Sequence, residues 1–91
     1  MPPTYTVTVQ YTDDSSPISG FICSIRTVED SLLACQGGIG GTISEAIDDF
    51  RHRVTMWLAY PENHGFSAWP TPLTDISEIK NVIRTFSWTP E

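Results

Sequence analysis

The stretch "GGTISEAIDDFRHRVTMWLAY", residues 40–60, constrains the fold of this chain more than any other. Its apolar residues recur at spacings of three and four, which is the period of a helix with one face buried. Charged side chains occupy the opposite side. The sequence therefore predicts a helix that packs one face on another element. The predicted buried face consists of Ile43, Ala46, Ile47, Phe50, Val54, Trp57 and Leu58.

Both ends of this helix are specified by the sequence. Thr42 with Glu45 three residues later is a capping box, in which each side chain satisfies a backbone amide that the helix start leaves unpaired. Pro61 biases Tyr60 away from helical dihedrals, so the helix is expected to end there. Asp49 and Arg53, four residues apart with the acid first, are expected to form a surface ion pair.

The first third of the chain predicts a sheet. Tyr5 to Thr12 alternates apolar and polar residues with the period of a half-buried strand. Residues 13–17, "DDSSP", have the composition of a turn. Further strands are predicted over residues 20–25 and 31–36, with a turn at Glu29 and Asp30. Consecutive strands of this kind predict an antiparallel meander against which the helix can pack.

The glycine run "GGIGGT", residues 37–42, resembles a phosphate loop only in its glycines. It lacks the Gly-Lys-Ser/Thr ending and the G-x-G-x-x-G register, and the helix after it opens with acidic residues that oppose a bound anion. We therefore interpret the run as a sharp turn from sheet to helix, where glycine supplies conformational freedom.

The tail leaves two interpretations open. Residues 61–72 form a proline-rich loop in which Phe66 and Trp69 are expected to lean on the core. Beyond it the spacing favours a helix from Ile76, with Asp75 and Glu78 as a second capping box, giving way to a strand near Phe86. The alternative is a closing strand over residues 82–88, which also alternates. Either way the sequence predicts one α+β domain, residues 1–91, with a core at 5–60, a loop at 61–72 and a C-terminal element at 73–88. The domain combines an antiparallel sheet of three to four strands, one main amphipathic helix, and a short C-terminal helix or strand.

Length and charge narrow the function. A chain of 91 residues has a modest core, so association with a second copy is one route to burying more apolar surface. The net charge of −6 repels phosphate backbones, which argues against nucleic-acid binding and favours a basic protein partner. No apolar run reaches the roughly 20 residues of a membrane span. The first residues lack the features of a signal peptide, which favours the cytoplasm and reduced cysteines at Cys23 and Cys35.

Three constellations could in principle carry chemistry. A Cys-His nucleophile pair would have to come from two cysteines and two histidines, and a strand cysteine is more often plain core. Asp48, Asp49 and His52 have metal-capable helical spacing, but a solvated charged face explains them better. A metal site of the RNase H kind needs carboxylates on strands, and the predicted strands have none in their interiors. The sequence therefore predicts no enzyme, no cofactor and no metal.

The sequence also resembles a known family. "YTVTV" at the start, Gly20-Phe21 entering a strand, and Ala34-Cys35 before a glycine turn are typical of HicB-like antitoxins. The helix follows that family's pattern T-x-x-E-A-[IL]-x-x-[IF]-[KR]-x-x-[IV]-x-x-[YW]-L. The matching positions are Thr42, Glu45, Ala46, Ile47, Phe50, Arg51, Val54, Trp57 and Leu58. The resemblance implies a partial RNase H-like fold in which a helix crosses a small antiparallel sheet.

The resemblance also implies a function. A HicB-like protein binds and neutralises a small basic HicA-type toxin that cleaves mRNA, by covering the toxin's RNA-binding and catalytic surface. On this hypothesis the edge of the Tyr5 strand, or of its hairpin partner, offers backbone pairing to the toxin or to a second copy. The candidate partner-binding residues are Asp13, Asp14, Asp48, Asp49 and His52. The candidate oligomer contacts are Met56 and Trp88.

This chain departs from the family pattern in two places. The tail is too short for a helix-turn-helix and has only Lys80 and Arg84 as cations, so DNA binding by this chain is not expected. The approach to Cys35 also departs from the family pattern, since no Pro-Gly precedes it. The alternative is therefore an orphan or phage-type binding or inhibitor protein of the same fold, with a different protein partner and no catalysis.

Overall fold

The computed structural model describes residues 3–12, 20–29, 33–34, 36–60 and 69–90. Four strands and one helix form an α+β domain, in the order β1 (Tyr5–Thr12), β2 (Gly20–Arg26), β3 (Gly37–Gly40), α1 (Ile43–Ala59) and β4 (Val82–Trp88). The strands form one antiparallel sheet in the order β3-β2-β1-β4. The predicted fold class, a small antiparallel sheet packed by one main helix, is confirmed.

Strand β1 is the centre of the sheet. Val7 lies opposite Ile25 of β2 on one side and Phe86 of β4 on the other. The predicted alternation is confirmed, since Tyr5, Val7 and Val9 face α1 and are completely buried. β1 and β2 both have neighbours on each side, so the expectation that the Tyr5 strand or its hairpin partner offers a free edge is wrong. The edges of the sheet are β3 and β4.

Helix α1 begins and ends where the sequence predicts. The Thr42 hydroxyl oxygen accepts the Glu45 backbone N–H at 3.1 Å, and the hydroxyl donates to the Glu45 carboxylate at 3.2 Å. Tyr60, with a ψ of 123°, leaves the helical region and ends the helix. The predicted buried face is confirmed for six of its seven residues, whereas Leu58 is only partly buried and is not part of the core cluster. Ala46, Phe50 and Val54 are buried, and Ile43, Ile47 and Trp57 pack against the core at its border.

The glycine run is a strand and not the predicted sharp turn. Gly37–Gly40 pairs with β2, and only Gly41 and Thr42 connect it to the helix. A Cβ on Gly38 would lie 2.2 Å from the Phe50 backbone nitrogen and 2.3 Å from the Ala46 carbonyl oxygen. The backbone of α1 therefore rests directly on the backbone of β3, and glycine is required because no side chain fits between them.

The third strand was predicted over residues 31–36, and this placement is wrong for the residues that can be compared. Leu33 and Ala34 lie in a turn, closed by a 3.1 Å hydrogen bond from the Gln36 N–H to the Leu33 carbonyl. The Leu33 side chain is fully buried in the core. Residues 31, 32 and 35 lie outside the described residues. Leu33 therefore contributes to the core from a turn, and the strand that pairs with β2 is formed by the glycine run instead.

The C-terminal element is a strand. The favoured helix from Ile76 is wrong, and the alternative of a closing strand over residues 82–88 is confirmed. The second capping box is also wrong, because the Asp75 carboxylate accepts the Ser77 N–H at 3.1 Å within a turn that no helix follows. Asn81, with a φ of 61°, redirects the chain into β4. Pairing with the open side of β1 outweighs the local helical period of this segment.

Residues 70–72 are bound directly to the sheet and to the turn after β2. The Tyr5 hydroxyl donates to the Pro70 carbonyl at 2.8 Å, and Pro72 bridges to Thr27. The Glu29 carboxylate accepts the Thr71 N–H at 2.7 Å and the Thr71 hydroxyl at 2.8 Å, which lowers the pKa of Glu29. Trp69 packs against the core as predicted. Phe66 and the predicted turn at residues 13–17 lie outside the described residues.

Candidate protein-binding surface

Four exposed side chains follow one another at four-residue spacing, three along the outside of α1 and the fourth at the residue that caps its C-terminus. We call Asp48, His52, Met56 and Tyr60 the outer row. Residues four apart on a helix are neighbours on its surface, so this row forms one continuous ridge. Met56 is 49% exposed and Tyr60 is 53% exposed. The ridge therefore runs from a carboxylate near the start of the helix to two large apolar side chains near its end.

A shallow groove of about 450 Å³ runs beside the outer row. It is lined by three large apolar or aromatic residues and four polar ones, namely Met56, Trp57, Tyr60, Gln36, Asp49, His52 and Arg53. Aromatic, methionine and arginine side chains around a concave surface are the composition that is enriched where proteins bind one another. The groove and the ridge together form a surface with apolar anchors and a polar rim.

Asp49 serves the fold as well as this surface. Its Oδ2 accepts the Ile39 backbone N–H at 3.0 Å and the Arg53 Nε–H at 3.0 Å. The hydrogen bond from Ile39 is the main cause that lowers the pKa of this carboxyl, and the bond from Arg53 adds to it. The predicted ion pair with Arg53 is confirmed. Because Asp49 ties α1 to β3, it holds the outer row at a fixed angle to the sheet.

The charge of the chain is divided unevenly. All five basic residues lie in the described ranges together with six of the eleven acidic residues, which gives the described part a charge of −1. The other five acids, which supply the rest of the net −6, fall outside the described residues. They are Asp13, Asp14, Asp30, Glu62 and Glu91. The described part of the chain is thus mixed in charge, and the acidic excess comes from residues that the structure does not describe.

The structure groups some of the predicted site residues and separates others. Asp48, Asp49, His52 and Met56 share one face of α1, with Met56 exposed as expected. Trp88 lies on β4, where its half-buried ring meets Phe50 edge-on at a centroid distance of 5.7 Å. Asp13 and Asp14 lie outside the described residues. Tyr60 was missed as a candidate, although its four-residue spacing from Met56 was visible in the sequence.

The reactive thiol of Cys23 and the imidazole of His52 lie in opposite environments. The Cys23 thiol is completely buried, and burial raises its pKa to about 12, whereas His52 stands on the exposed side of α1. Within the described ranges, no three His, Cys, Asp or Glu side chains are grouped closely enough to hold a metal ion. No helix formed by these residues is both long and apolar enough to cross a membrane.

The opposite face of the sheet holds a polar network that the sequence did not reveal. The Arg26 guanidinium donates to Thr8 Oγ1 at 3.1 Å and to Gln10 Oε1, and the Gln10 amide donates to the Lys80 carbonyl at 2.9 Å. Burial lowers the pKa of Arg26. Thr8 is thereby covered completely, although the alternation placed it on the polar side of β1. This network fixes the turn that leads into β4.

Comparison of this chain with protein-family models, with curated proteins and with solved structures gives no match.

Proposed function

We propose that this protein is a HicB-like binding protein that neutralises a small basic HicA-type mRNA-cleaving toxin in the cytoplasm. The observation that carries the proposal is the outer row, where Met56 and Tyr60 expose about half of their surface on the same ridge as Asp48, on a well-anchored helix. Large apolar side chains grouped on a rigid, polar-rimmed surface support protein binding. The resemblance of α1 to the HicB-like pattern is the reason that we propose a HicA-type toxin as the partner.

The chemistry of the outer row suits a ribonuclease surface. A surface that binds RNA carries clustered Lys and Arg side chains, which Asp48 and Glu45 at the start of α1 would attract. Tyr60 and Met56 would supply the buried anchors, since a few large side chains carry most of the energy of an interface. Under this mechanism the toxin is inhibited by exclusion, because RNA cannot reach a surface that the helix already covers.

The acidic residues outside the described ranges would act during the encounter of the two proteins, before the outer row makes contact. Complementary charge accelerates the encounter of two proteins more than it strengthens the final complex. Asp13 and Asp14 therefore belong to the association step in this proposal, whereas Met56 and Tyr60 belong to the stability of the complex. The two groups can be distinguished because the first affects the association rate and the second affects the dissociation rate.

Co-expression with a HicA-type toxin tests the proposal. We expect the wild-type protein to restore growth and to co-purify with the toxin. Met56→Ser and Tyr60→Ser should each weaken the complex by about 2 kcal/mol or more, the magnitude of an interface hot spot. Val28→Ser is the matched control, because Val28 is a 62% exposed apolar side chain away from the outer row. Continued growth arrest with no complex would reject the proposal.

Charge variants separate steering from anchoring. Asp48→Lys should slow association with the toxin, and the effect should shrink as salt screens the charges. Glu78→Lys is the control, because it makes the same type of charge reversal at an exposed position far along the chain from α1. Equal effects of the two variants would show that only net charge matters and that α1 is not the contact.

One observation favours the alternative partner. The described part of the chain carries a charge of only −1, and the outer row combines one carboxylate with two apolar side chains and a histidine. Such a surface also suits an orphan or phage-type inhibitor whose partner is not strongly basic. The salt dependence of association distinguishes the two, since a basic toxin predicts a steep decrease in rate with ionic strength and the alternative predicts a shallow one.

A further inference from the structure

Most charged side chains on the exposed side of α1 are held by contacts within the molecule. Asp49 and Arg53 pair with each other at 3.0 Å, and the Asp49 carboxylate also accepts the Ile39 N–H. The Arg51 guanidinium lies 6.0 Å from the centroid of the Phe86 ring on β4. These charged groups therefore serve the fold, and a partner could use them only by disturbing those contacts.

Asp48 and His52 differ from these groups. Both are exposed, and within the described ranges no residue forms a hydrogen bond or ion pair with either of them. They are neighbours in the outer row, where His52 stands between Asp48 and Met56 at four-residue spacing. The charge of the outer row is therefore set by these two side chains. It is that of the Asp48 carboxylate when the imidazole is neutral, and it is cancelled when the imidazole is protonated.

The groups that face His52 come from α1 itself and from the groove beside it. Besides Asp48, the charged ones are Asp49 and its partner Arg53, both in the wall of the groove. The pKa of Asp49 is lowered chiefly by the Ile39 N–H and then by Arg53, and the charge of His52 adds to the effect. His52 is thus within electrostatic reach of that carboxylate. The other residues that bring polar groups to the groove are Gln36, an uncharged amide, and Tyr60, a phenol.

We propose that His52 makes toxin binding depend on pH, with the complex favoured while the imidazole is neutral and weakened once it is protonated. This inference rests on the proposed function, because it concerns the same outer row. A protonated His52 places a positive charge between the attracting carboxylate of Asp48 and the apolar anchor Met56. A surface rich in Lys and Arg then meets a like charge within the contact, which is unfavourable when water is excluded.

The direction of the pH dependence follows from linkage. A basic partner binds the neutral form of His52 better, so formation of the complex releases a proton from the imidazole. Histidine side chains ordinarily change charge between about pH 5 and 8, and the affinity therefore falls as the pH decreases through that range. One titrating group changes the affinity by at most about tenfold per pH unit. A partner with an acidic contact surface gives the opposite direction.

Titration calorimetry of the purified chain with a HicA-type toxin tests the proposal. For the wild type, the Kd should rise by about tenfold or more between about pH 8 and about pH 5.5. His52→Gln should lose this extra rise, whatever its Kd at pH 8, and His52→Lys should bind more weakly than His52→Gln at every pH. Titration of the toxin itself is common to all these proteins, so the difference between them reports His52. The matched control is Thr74→His in the His52→Gln background, which places a histidine at an exposed position outside α1 and should not restore the pH dependence.

The same titrations in two buffers with different enthalpies of ionisation count the protons released on binding. Near the midpoint of the pH dependence, the wild type should release more protons than His52→Gln, by up to about one. A Kd that does not change with pH, that changes equally in the wild type and His52→Gln, or that falls in acid would overturn this inference while toxin binding itself stands. Absence of a complex at every pH would reject the proposed function and this inference together.

Discussion

The ring of Phe50 meets the ring of Trp88 edge-on, with centroids 5.7 Å apart and planes at 77°. The helix and the last strand are joined by this contact and by the similar one between Phe50 and Phe86 at 6.2 Å. Phe50 is completely buried and Trp88 is half-buried. The side of α1 that faces β4 therefore depends on two aromatic contacts rather than on close approach of the backbones.

We expect these two rings to be energetically coupled. Phe50→Ala should lower the free energy of unfolding by about 3 to 5 kcal/mol, as is usual when a buried phenylalanine is truncated. In a double-mutant cycle with Trp88→Ala, the coupling energy should be about 0.5 to 1.5 kcal/mol, the range for aromatic pairs. Urea denaturation of the four proteins measures it. Strictly additive effects would contradict a direct contact.

Gly38→Ala should destabilise the protein severely. The added methyl would lie 2.2 Å from the Phe50 backbone nitrogen, so α1 would have to move away from β3. Overpacking a core costs about 1 to 3 kcal/mol when side chains can adjust, and here the obstacle is backbone, so the loss should reach or exceed that range. Gly41→Ala is the control, because among the described residues its Cβ would meet only the Glu45 carboxylate oxygen, at 4.0 Å. Thermal and urea unfolding should separate the two variants clearly.

Asp49 should make stability depend on pH in the acid range. Its pKa in the folded state is lowered, chiefly by the Ile39 N–H and then by Arg53, so its contribution is complete above the unfolded-state pKa and is lost as the pH falls through the folded-state value. Asp49→Asn should reduce stability at neutral pH and weaken the decline in acid. Asp48→Asn, at an exposed position one residue away, is the control and should leave the urea midpoint at neutral pH almost unchanged.

The Cys23 thiol should be inert in the folded protein. It is completely buried, and burial raises its pKa to about 12, so almost no reactive thiolate is present at neutral pH. In a Cys35→Ser background, a thiol reagent should label Cys23 only at the rate at which the protein unfolds. Rapid labelling under native conditions would show that the sheet opens locally beside the glycine strand.

The sequence predicted α1 and β1 well because both are long and have a clear period. Their buried faces follow from side-chain spacing alone, and the capping residues define the helix start. The outer row could also be predicted from the sequence, since a four-residue spacing on a predicted helix places Asp48, His52 and Met56 on one ridge. What the spacing could not show is that Asp49 binds Ile39, because that contact depends on where β3 lies.

The errors concern elements that long-range contacts decide. β3 has four residues, three of them glycine, and so carries no hydrophobic pattern that could identify it as a strand. The tail fits a helical and an extended period equally, and the choice is made by β1, whose free side accepts β4. Arg26 covers Thr8 on the polar face through a contact between neighbouring strands, which no period within one strand reveals.

Tyr5 lies opposite Trp88 in the sheet, so the two ends of the described chain meet beside each other. During synthesis the first strand emerges long before its second neighbour exists. Until the residues of β4 are available, the backbone groups on that side of β1 remain unpaired and can bind a strand from another chain. A nascent chain of this protein is therefore vulnerable to mispairing at its central strand, and completion of the sheet must wait for nearly the last residue that takes part in it.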